Sequence, residues 1–353
     1  MKNPLFSILV LNYNGKHLLP DCLNSISNQN FNDYELVIID NNSGDGSTTY
    51  IRENFPKAKL MENPENFGFA KGNNAGIKVC KGEWIFFLNN DTVLEQDCLE
   101  LLFKHIENRK SEQLVFVPLM LKADFPEYVD SAGDMLYPWG YAYKYENESA
   151  SEFSEFKEIN FACCGAAVFN RELLEKLNGF DEDFFLYYED IDLSLRAKRL
   201  GAKIFLVPQA KVLHKGSATV GKKNSHRLYY IERNRFWTKL KNFPFSTLLK
   251  YAPHSFICSL FSLAIWTKRG FLGSWLKSRF AMMFGIPKML RKRRKIFAES
   301  KINAKEFEKW LRKEKFFKWL RTLVSPPINI KRRIAPDIEN QIQNGNSVFK
   351  FPK

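Results

Sequence analysis

The chain has 353 residues, 45% of them apolar and 15% aromatic. That is enough for one large α/β domain with an appendage, or for two domains, and too apolar for a disordered chain. The net charge of +14 is unevenly divided: residues 1–236 carry 27 Lys or Arg against 33 Asp or Glu, and residues 237–353 carry 26 against 6. Such a basic segment suits an anionic surface, either membrane or nucleic acid. The six cysteines (Cys22, Cys80, Cys98, Cys163, Cys164, Cys258) show no C-x-x-C and no zinc-ligand spacing, so free thiols in a reducing compartment are expected. The apolar run from Leu5 to Leu11 contains Ser7 and ends at Asn12 without a small-residue cleavage site. It reads as a first strand and not as a signal peptide, and a cytoplasmic location is expected.

Strand-like and helical patterns alternate through the first hundred residues. FSILVLNY (6–13) is a continuous apolar run, and HLLPDCLNSISNQ (17–29) places Leu19, Cys22, Leu23 and Ile26 at helical spacing. YELVIID (34–40) is a second strand, followed by a turn and a short helix. AKLMEN (58–63) is a third strand, FAKGNNAGIKVC a helix and WIFFLNN (84–90) a fourth strand. This order predicts βαβ units and a mostly parallel sheet, with ligands bound beyond the carboxyl ends of the strands. Polar clusters fall at that edge: Asn12-Tyr13-Asn14, Asp40-Asn41-Asn42 and Asn89-Asn90-Asp91. In a second block NFACCGAAVFN reads as a strand, RELLEKLNGF as a helix closed by Gly179, EDIDLSLRAKRLG as a helix closed by Gly201, and KIFLVP (203–208) as a last strand.

The first turn, NYNGKH, is neither a G-x-G-x-x-G dinucleotide fingerprint nor a P-loop. Amide and carboxylate side chains at strand ends suit the edges of a base and ribose, with Asp40 able to accept from a pyrimidine N–H or a ribose hydroxyl. The same residues also make ordinary turns.

Together SILVLNYNG (7–15), VIIDNNSGDGS (37–47), ENFGFAKGNNAGI (65–77), WIFFLNNDT (84–92), residues 165–201 and VLHKGSAT (212–219) resemble inverting nucleotide-sugar glycosyltransferases of family 2, especially the rhamnosyltransferase-like branch. The resemblance covers roughly residues 5–240. It implies the GT-A fold: α/β, a mostly parallel nucleotide-binding sheet flanked by helices, here with a basic amphipathic helical C-terminal region. It also implies a nucleoside-diphosphate sugar donor and a divalent cation, Mg²⁺ or Mn²⁺, acting on the departing diphosphate as a Lewis acid. The family's D-x-D position falls at Asn89-Asn90-Asp91, where Asn89 replaces the first Asp. Asp91 would bind the metal and His214 matches the family's additional ligand, with Lys215 near the diphosphate. Asn12, Tyr13, Asn14, Asp40, Asn66, Gly68, Asn74, Asn89 and Asn90 would contact the nucleotide sugar, Asn74 by tying a helix start to the nucleotide loops. Gly76 serves nucleotide approach or packing.

The stretch FFLYYEDIDLSLR (184–196) gathers Glu189, Asp190 and Asp192 beside aromatic residues, where apolar surroundings and like charge oppose ionisation. An inverting transfer needs one general base for the acceptor hydroxyl. The resemblance assigns that role to Asp190, with Glu189 orienting it or touching the acceptor and the aromatics shaping the sugar platform. Asp192 and Arg196, four apart on a helix, are expected to pair, which makes Asp192 structural.

The basic region reads as helices. YAPHSFICSLFSLAIW (251–266) is short of a membrane span, and residues 268–297 mix Trp, Phe, Leu and Met with Lys and Arg, as an interfacial helix does. Residues 291–295, RKRRK, are expected to face anionic headgroups, and residues 304–324 repeat the pattern. A helical subdomain packed on the catalytic core is the other reading, and nucleic acid is not expected. The expected organisation is a catalytic domain over 1–240, a membrane-associated helical region over 241–325 and a disordered polar tail over 326–353. These features imply a peripheral enzyme at the inner face of the plasma membrane with a glycan or glycolipid acceptor. A sugar-1-phosphate nucleotidyltransferase or a non-catalytic membrane-bound sugar-nucleotide sensor would be the alternatives, and oligomeric state is left open.

Overall fold

The computed structural model describes residues 3–107, 109, 113–145, 148–216, 225–300 and 302–324. The polar tail expected from residue 326, and the end of VLHKGSAT, lie outside the described residues. In chain order β1 (Phe6–Asn12), α1 (Leu19–Ser27), β2 (Tyr34–Asp40), α2 (Ser47–Asn54), β3 (Lys59–Glu62), α3 (Gly68–Ile77) and β4 (Trp84–Asn89) alternate as the sequence pattern requires. Next come β5 (Thr92–Leu94), α4 (Cys98–Ile106), β6 (Leu114–Lys122), β7 (Phe125–Ser131), β8 (Asp134–Leu136) and β9 (Ala142–Lys144). They are followed by β10 (Lys157–Ile159), β11 (Ala166–Asn170), α5 (Arg171–Leu177), α6 (Glu189–Arg199) and β12 (Lys203–His214). Helices α7 (Ser225–Asn242), α8 (Phe245–Lys250), α9 (Ala252–Lys268), α10 (Leu272–Glu299) and α11 (Ala304–Lys309) complete a first compact unit, Met1–Arg312. The second unit, Lys313–Lys353, contains α12 (Phe316–Val324), whose Lys318 pairs with Glu314 one turn earlier.

The main sheet runs β10-β12-β6-β11-β4-β1-β2-β3, with β5 added to β12 and β7 to β6. Strands β3, β2, β1 and β4 are mutually parallel, as are β6 and β12, and β11 lies antiparallel between the two sets. This is the mostly parallel α/β architecture expected from the sequence. Two elements differ from the sequence pattern. The strand expected from Asn160 begins only at Ala166, because Ala166 N–H bonds back to Cys163 and closes a turn. The strand expected over 203–208 continues to His214, with a break in register between Val207 and Lys211.

Alternation along β1 explains the layers. Ile8 and Val10 pack with Leu19, Cys22, Leu23 and Ile26 of α1 and with Leu99 and Leu102 of α4. Leu9, on the opposite face, packs with Val37, Ile39 and Phe87 and with residues of α5 and α6. Gly76 belongs to this second layer: a Cβ there would lie 2.4 Å from Leu9 Cδ1 and 3.0 Å from Ile39 Cγ1, so its role is close packing of α3 on the sheet. All six cysteines are free and buried, as the absence of paired spacing predicts.

A third apolar cluster joins Phe184, Tyr188, Ile191 and Leu195 around α6 to Trp237 and Phe243, with Met289 of α10 and Phe307 of α11. Beneath it lies a buried ionic knot. Asp192 accepts from Arg196 Nε at 2.8 Å, Lys241 Nζ at 2.9 Å and Asn242 Nδ2 at 2.8 Å, and Lys241 also pairs with Asp181. Asp192 is thus the structural acid its spacing suggests. Burial raises the pKa values of both carboxyls, but Lys241, with Arg196 at Asp192 and Lys292 at Asp181, holds them below the ordinary carboxylate range. Their contribution to stability is therefore complete above about pH 4, the unfolded value, and is lost as pH falls toward the folded values. Replacing Lys241→Met should cost about 3–5 kcal/mol in urea denaturation at pH 7. The loss on going to pH 3 should be smaller than in the parent, since fewer carboxylates remain ion-paired.

Candidate active site

Three strand ends meet through side-chain amides. Asn12, at the end of β1, donates to Asp40 Oδ1 of β2 at 2.8 Å and accepts from Asn90 Nδ2 at 2.8 Å. Asp40 also accepts from the Ser43 backbone N–H at 2.7 Å and its hydroxyl at 2.7 Å. Asn14 has a left-handed backbone (φ 49°), donates its N–H to Ser43 Oγ and accepts from Gly44. Asp40 and Asn12 are buried, so their immediate work is to fix the two loops. Tyr13, 39% exposed, is left presenting its ring at the strand edge.

The second nucleotide segment is organised differently from expectation. Asn66 is exposed and accepts from Gly68 N–H at 2.9 Å. Gly68 takes φ +71°, and a Cβ on it would lie 2.6 Å from the Phe185 ring and 2.7 Å from the Phe185 carbonyl. Its close approach is thus to the chain itself, whose Phe185 carbonyl accepts from Phe69 N–H at 2.7 Å. Asn74 is buried with both ends of its amide on Phe180, at 2.9 and 2.8 Å. It ties α3 to the loop leading toward α6, and not to the nucleotide loops.

That loop carries the acids. Phe185, Tyr187 and Tyr188 have φ values of 64°, 69° and 70°, a left-handed conformation unfavourable for bulky residues. Asn234 of α7, fully buried, holds them there: its Nδ2 lies 2.9, 2.9 and 2.7 Å from the carbonyls of Phe184, Leu186 and Tyr187. Arg233 donates to the carbonyls of Asp183 and Phe184. Phe184 and Tyr188 are buried in the core, so they brace the loop and do not form a sugar platform.

The three carboxylates consequently have three fates. Asp192 enters the ionic knot. Glu189 is buried, its Oε2 lacks a hydrogen-bond partner among the described residues, and burial followed by the neighbouring Asp190 pushes its pKa well above the usual carboxylate range. Asp190 is half-buried and accepts Ile191 N–H at 2.8 Å. Burial raises its pKa, while backbone N–H groups of Ile191 and Cys164 and the charge of Lys144 oppose the rise.

The sequence reading missed its partners. Carboxyl oxygens of Asp134 and Asp190 and the Cys163 sulfur lie within 4.8 Å of one another. Asp134 is pushed up by burial and by Asp190, and its Oδ1 has no donor among the described residues. A proton shared by the two carboxyls satisfies both observations. These atoms could also be read as cation ligands. However, Lys144 stands opposite Asp134 across the β8–β9 pair, and burial pushes the Cys163 thiol up to about 12, so the trio is better suited to holding protons.

The D-x-D region lies along the same row of charges. Asp91 Oδ1 is 3.3 Å from His214 Nε2, and His214 Nδ1 is 2.8 Å from Asp130 Oδ2, which pairs with Lys144 at 3.1 Å. Burial would lower the His214 pKa, but hydrogen bonds to Asp130 and Asp91 carry it to about 9. This donor set fits a divalent cation: one carboxylate and one imidazole nitrogen converge, and a second carboxylate orients the imidazole from behind. Asn89 abuts Gly165, whose Cβ would lie 3.2 Å from its Nδ2. This brings the strand tip beside the Cys163–Gly165 turn that also touches Asp190. Lys215, just after β12, pairs with the exposed Asp21 of α1.

Residues 7–178 match the family described as Glycosyl transferase family 2. These residues form a family 2 glycosyltransferase domain. A glycosyltransferase of PGL/p-HBAD biosynthesis from Mycobacterium tuberculosis is 28% identical over 127 residues, 35% of this chain and 50% of that protein. The chondroitin synthase of Pasteurella multocida is 33% identical over 116 residues, 32% of this chain and 12% of that protein. The chain thus spans half or less of the length of these curated relatives. Among solved structures, GalNAc-T7 with UDP, GalNAc and Mn²⁺ is similar with a TM-score of 0.58 at 16% identity, covering 72% of this chain and 51% of that one. A mannosyltransferase from Pyrobaculum calidifontis with GDP-Man and Mn²⁺ gives 0.50 at 16%, covering 85% and 86%. These likenesses establish the GT-A-type fold around the family 2 domain. The matched segment ends before Asp190 and His214, which come from α6 and β12.

If Asn234 holds the acid loop, Asn234→Ala should cost about 1–3 kcal/mol in urea denaturation and open residues 184–188 to limited proteolysis. Asn234→Asp, similar in size but without the donors, should behave alike.

Proposed function

We propose that this protein transfers a sugar from a nucleoside-diphosphate sugar to an acceptor hydroxyl with inversion at the anomeric carbon. One observation carries the reading: Asp190, from the loop before α6, is held beside the Cys163–Gly165 turn, next to the strand tip that bears Asn89, Asn90 and Asp91. In a single displacement with inversion the base and the departing diphosphate stand on opposite faces of the anomeric carbon, so both must border one sugar-sized site. The relatives and the Mn²⁺-bound solved neighbours support the reaction class.

In this reading Asp190 takes the proton of the acceptor hydroxyl as the acceptor oxygen bonds to the anomeric carbon and the bond to the diphosphate breaks. Glu189, buried and neutral, donates from its carboxyl and orients the acceptor or the base. Asn12, Asn14, Asp40, Asn66 and Asn90 shape the nucleoside pocket, Tyr13 lies against the base, and Gly68 and Asn74 fix the loop that closes on it. Asp91 and His214 would hold Mg²⁺ or Mn²⁺, with Asn89 offering a neutral oxygen. When bound, the cation neutralises charge developing on the diphosphate. The rhamnosyltransferase-like pattern makes dTDP-rhamnose the first donor to test. The basic helices favour a lipid-linked glycan of surface polysaccharide synthesis as acceptor, met at the cytoplasmic face of the plasma membrane.

Asp190→Asn should reduce turnover by at least 10³-fold while donor affinity, measured by calorimetry, stays within about threefold; turnover close to the parent's would place the base elsewhere. Because the Asp190 pKa is raised, kcat/KM should fall as pH drops through a value above about 4, and that acid limb should be absent in Asp190→Asn. Chelation with EDTA should abolish turnover and Mn²⁺ should restore it, whereas full turnover in EDTA would remove Asp91 and His214 from their roles.

A further inference from the structure

The basic helices carry apolar side chains that folding leaves uncovered. Among the exposed large apolar residues, all but Tyr13 and Phe317 lie between Phe245 and Leu290. Phe256 and Leu260 of α9 are 66% and 50% exposed; Phe280, Met283 and Phe284 of α10 are 61%, 60% and 85% exposed. Within each helix they recur at three- and four-residue spacing, so each set forms one stripe.

The opposite face of α10 is the one that packs. A Cβ on Gly285 would lie 2.3 Å from the Trp237 indole, Trp237 Nε1 donates to the Met282 carbonyl at 3.2 Å, and Arg279 pairs with Glu232 of α7. Helix α9 joins α10 through Trp275 Nε1 donating to Ser262 Oγ at 3.1 Å. The orientation of α10 is therefore fixed by contacts that do not use Phe280, Met283 or Phe284. Exposed apolar side chains gathered on two neighbouring helices, unlike apolar residues scattered singly, mark an interaction surface.

Charge selects the partner. Residues 251–298 hold ten Lys or Arg and no Asp or Glu. The RKRRK run is split by the fold, which corrects the expectation that all five face headgroups. Lys292 pairs with Asp181 and Asp183, and Arg293 donates to the Leu240 and Phe243 carbonyls. Arg291, Arg294 and Lys295 remain exposed, as do Lys268, Arg269 and Lys277. A second copy of this chain would bring the same positive charge to the same face. No helix among the described residues is long and apolar enough to cross a membrane.

We propose that the outward face of α9 and α10 docks on an anionic lipid bilayer, with Phe256, Leu260, Phe280, Met283 and Phe284 entering the acyl boundary and the exposed Lys and Arg side chains meeting the headgroups. The docking goes beyond the transfer reading and does not depend on it, because vesicle binding requires no turnover.

The test is flotation of the full chain with vesicles of phosphatidylglycerol and phosphatidylcholine in equal parts, and with phosphatidylcholine alone. The parent should float with the anionic vesicles at least tenfold better. Phe280→Ser/Phe284→Ser, at exposed positions and so expected to keep the circular dichroism spectrum and donor affinity, should lower partitioning at least tenfold. Arg291→Glu/Arg294→Glu should lower it on anionic vesicles only. The proposal is overturned if the parent fails to float, or if the double Phe variant floats equally. It is also overturned if light scattering shows a dimer that the Phe variant dissociates, which would make this face a contact between copies.

Discussion

The candidate site depends on one buried amide. Asn234 donates to the carbonyls of Phe184, Leu186 and Tyr187 in the turn before α6, and that turn contains three bulky residues in a conformation they disfavour. Without an external set of donors those carbonyls would be stranded in an apolar cluster, at a cost comparable to the strain itself. With them, the backbone reverses sharply enough to begin a helix at Glu189 and set Asp190 against the turn preceding β11. The helix that supplies Asn234 is itself held by α10 through Trp237 and Glu232. The basic region therefore supports the acid loop as well as extending from it.

The clustering of three acids within four residues is resolved by giving each a different environment. Asp192 is wholly buried but has cations and an amide around it, so it stays ionised and ties α6 to α7. Glu189 has burial and the neighbouring Asp190 acting against its ionisation, opposed only by a backbone N–H, and its pKa is pushed well above the usual carboxylate range. Asp190 stands between these limits, with backbone N–H donors and Lys144 against burial, and with the Asp134 carboxyl nearby. Three local fields, and not three residue types, separate a structural ion from the acids proposed as proton donor and base.

A row of titratable groups runs from Asp91 through His214, Asp130 and Lys144 to Asp134 and Asp190. Its members come from the β4–β5 turn, β12, β7, β9, β8 and α6. Such a row lets the positions proposed for the diphosphate and for the acceptor proton feel one another electrostatically at short range, in surroundings drier than water. Hydrogen-bond geometry places Asp130 behind His214, where it selects the imidazole nitrogen that faces Asp91.

By itself the sequence determined the alternating β and α elements of the first ninety residues, the polar strand tips, the pairing of Asp192 with Arg196 and the boundaries of α5 and α6. Each follows from local periodicity, turn chemistry or i,i+4 spacing, which the chain carries within a few residues. Only the tertiary structure decided that Asp130, Asp134, Lys144 and Asn234 join the site, that Asn74 and Gly68 serve the acid loop, and that Lys292 and Arg293 turn inward. These contacts span tens of residues in sequence. They are set by the burial of one helix on another, and no local pattern encodes which polar group will find itself out of water.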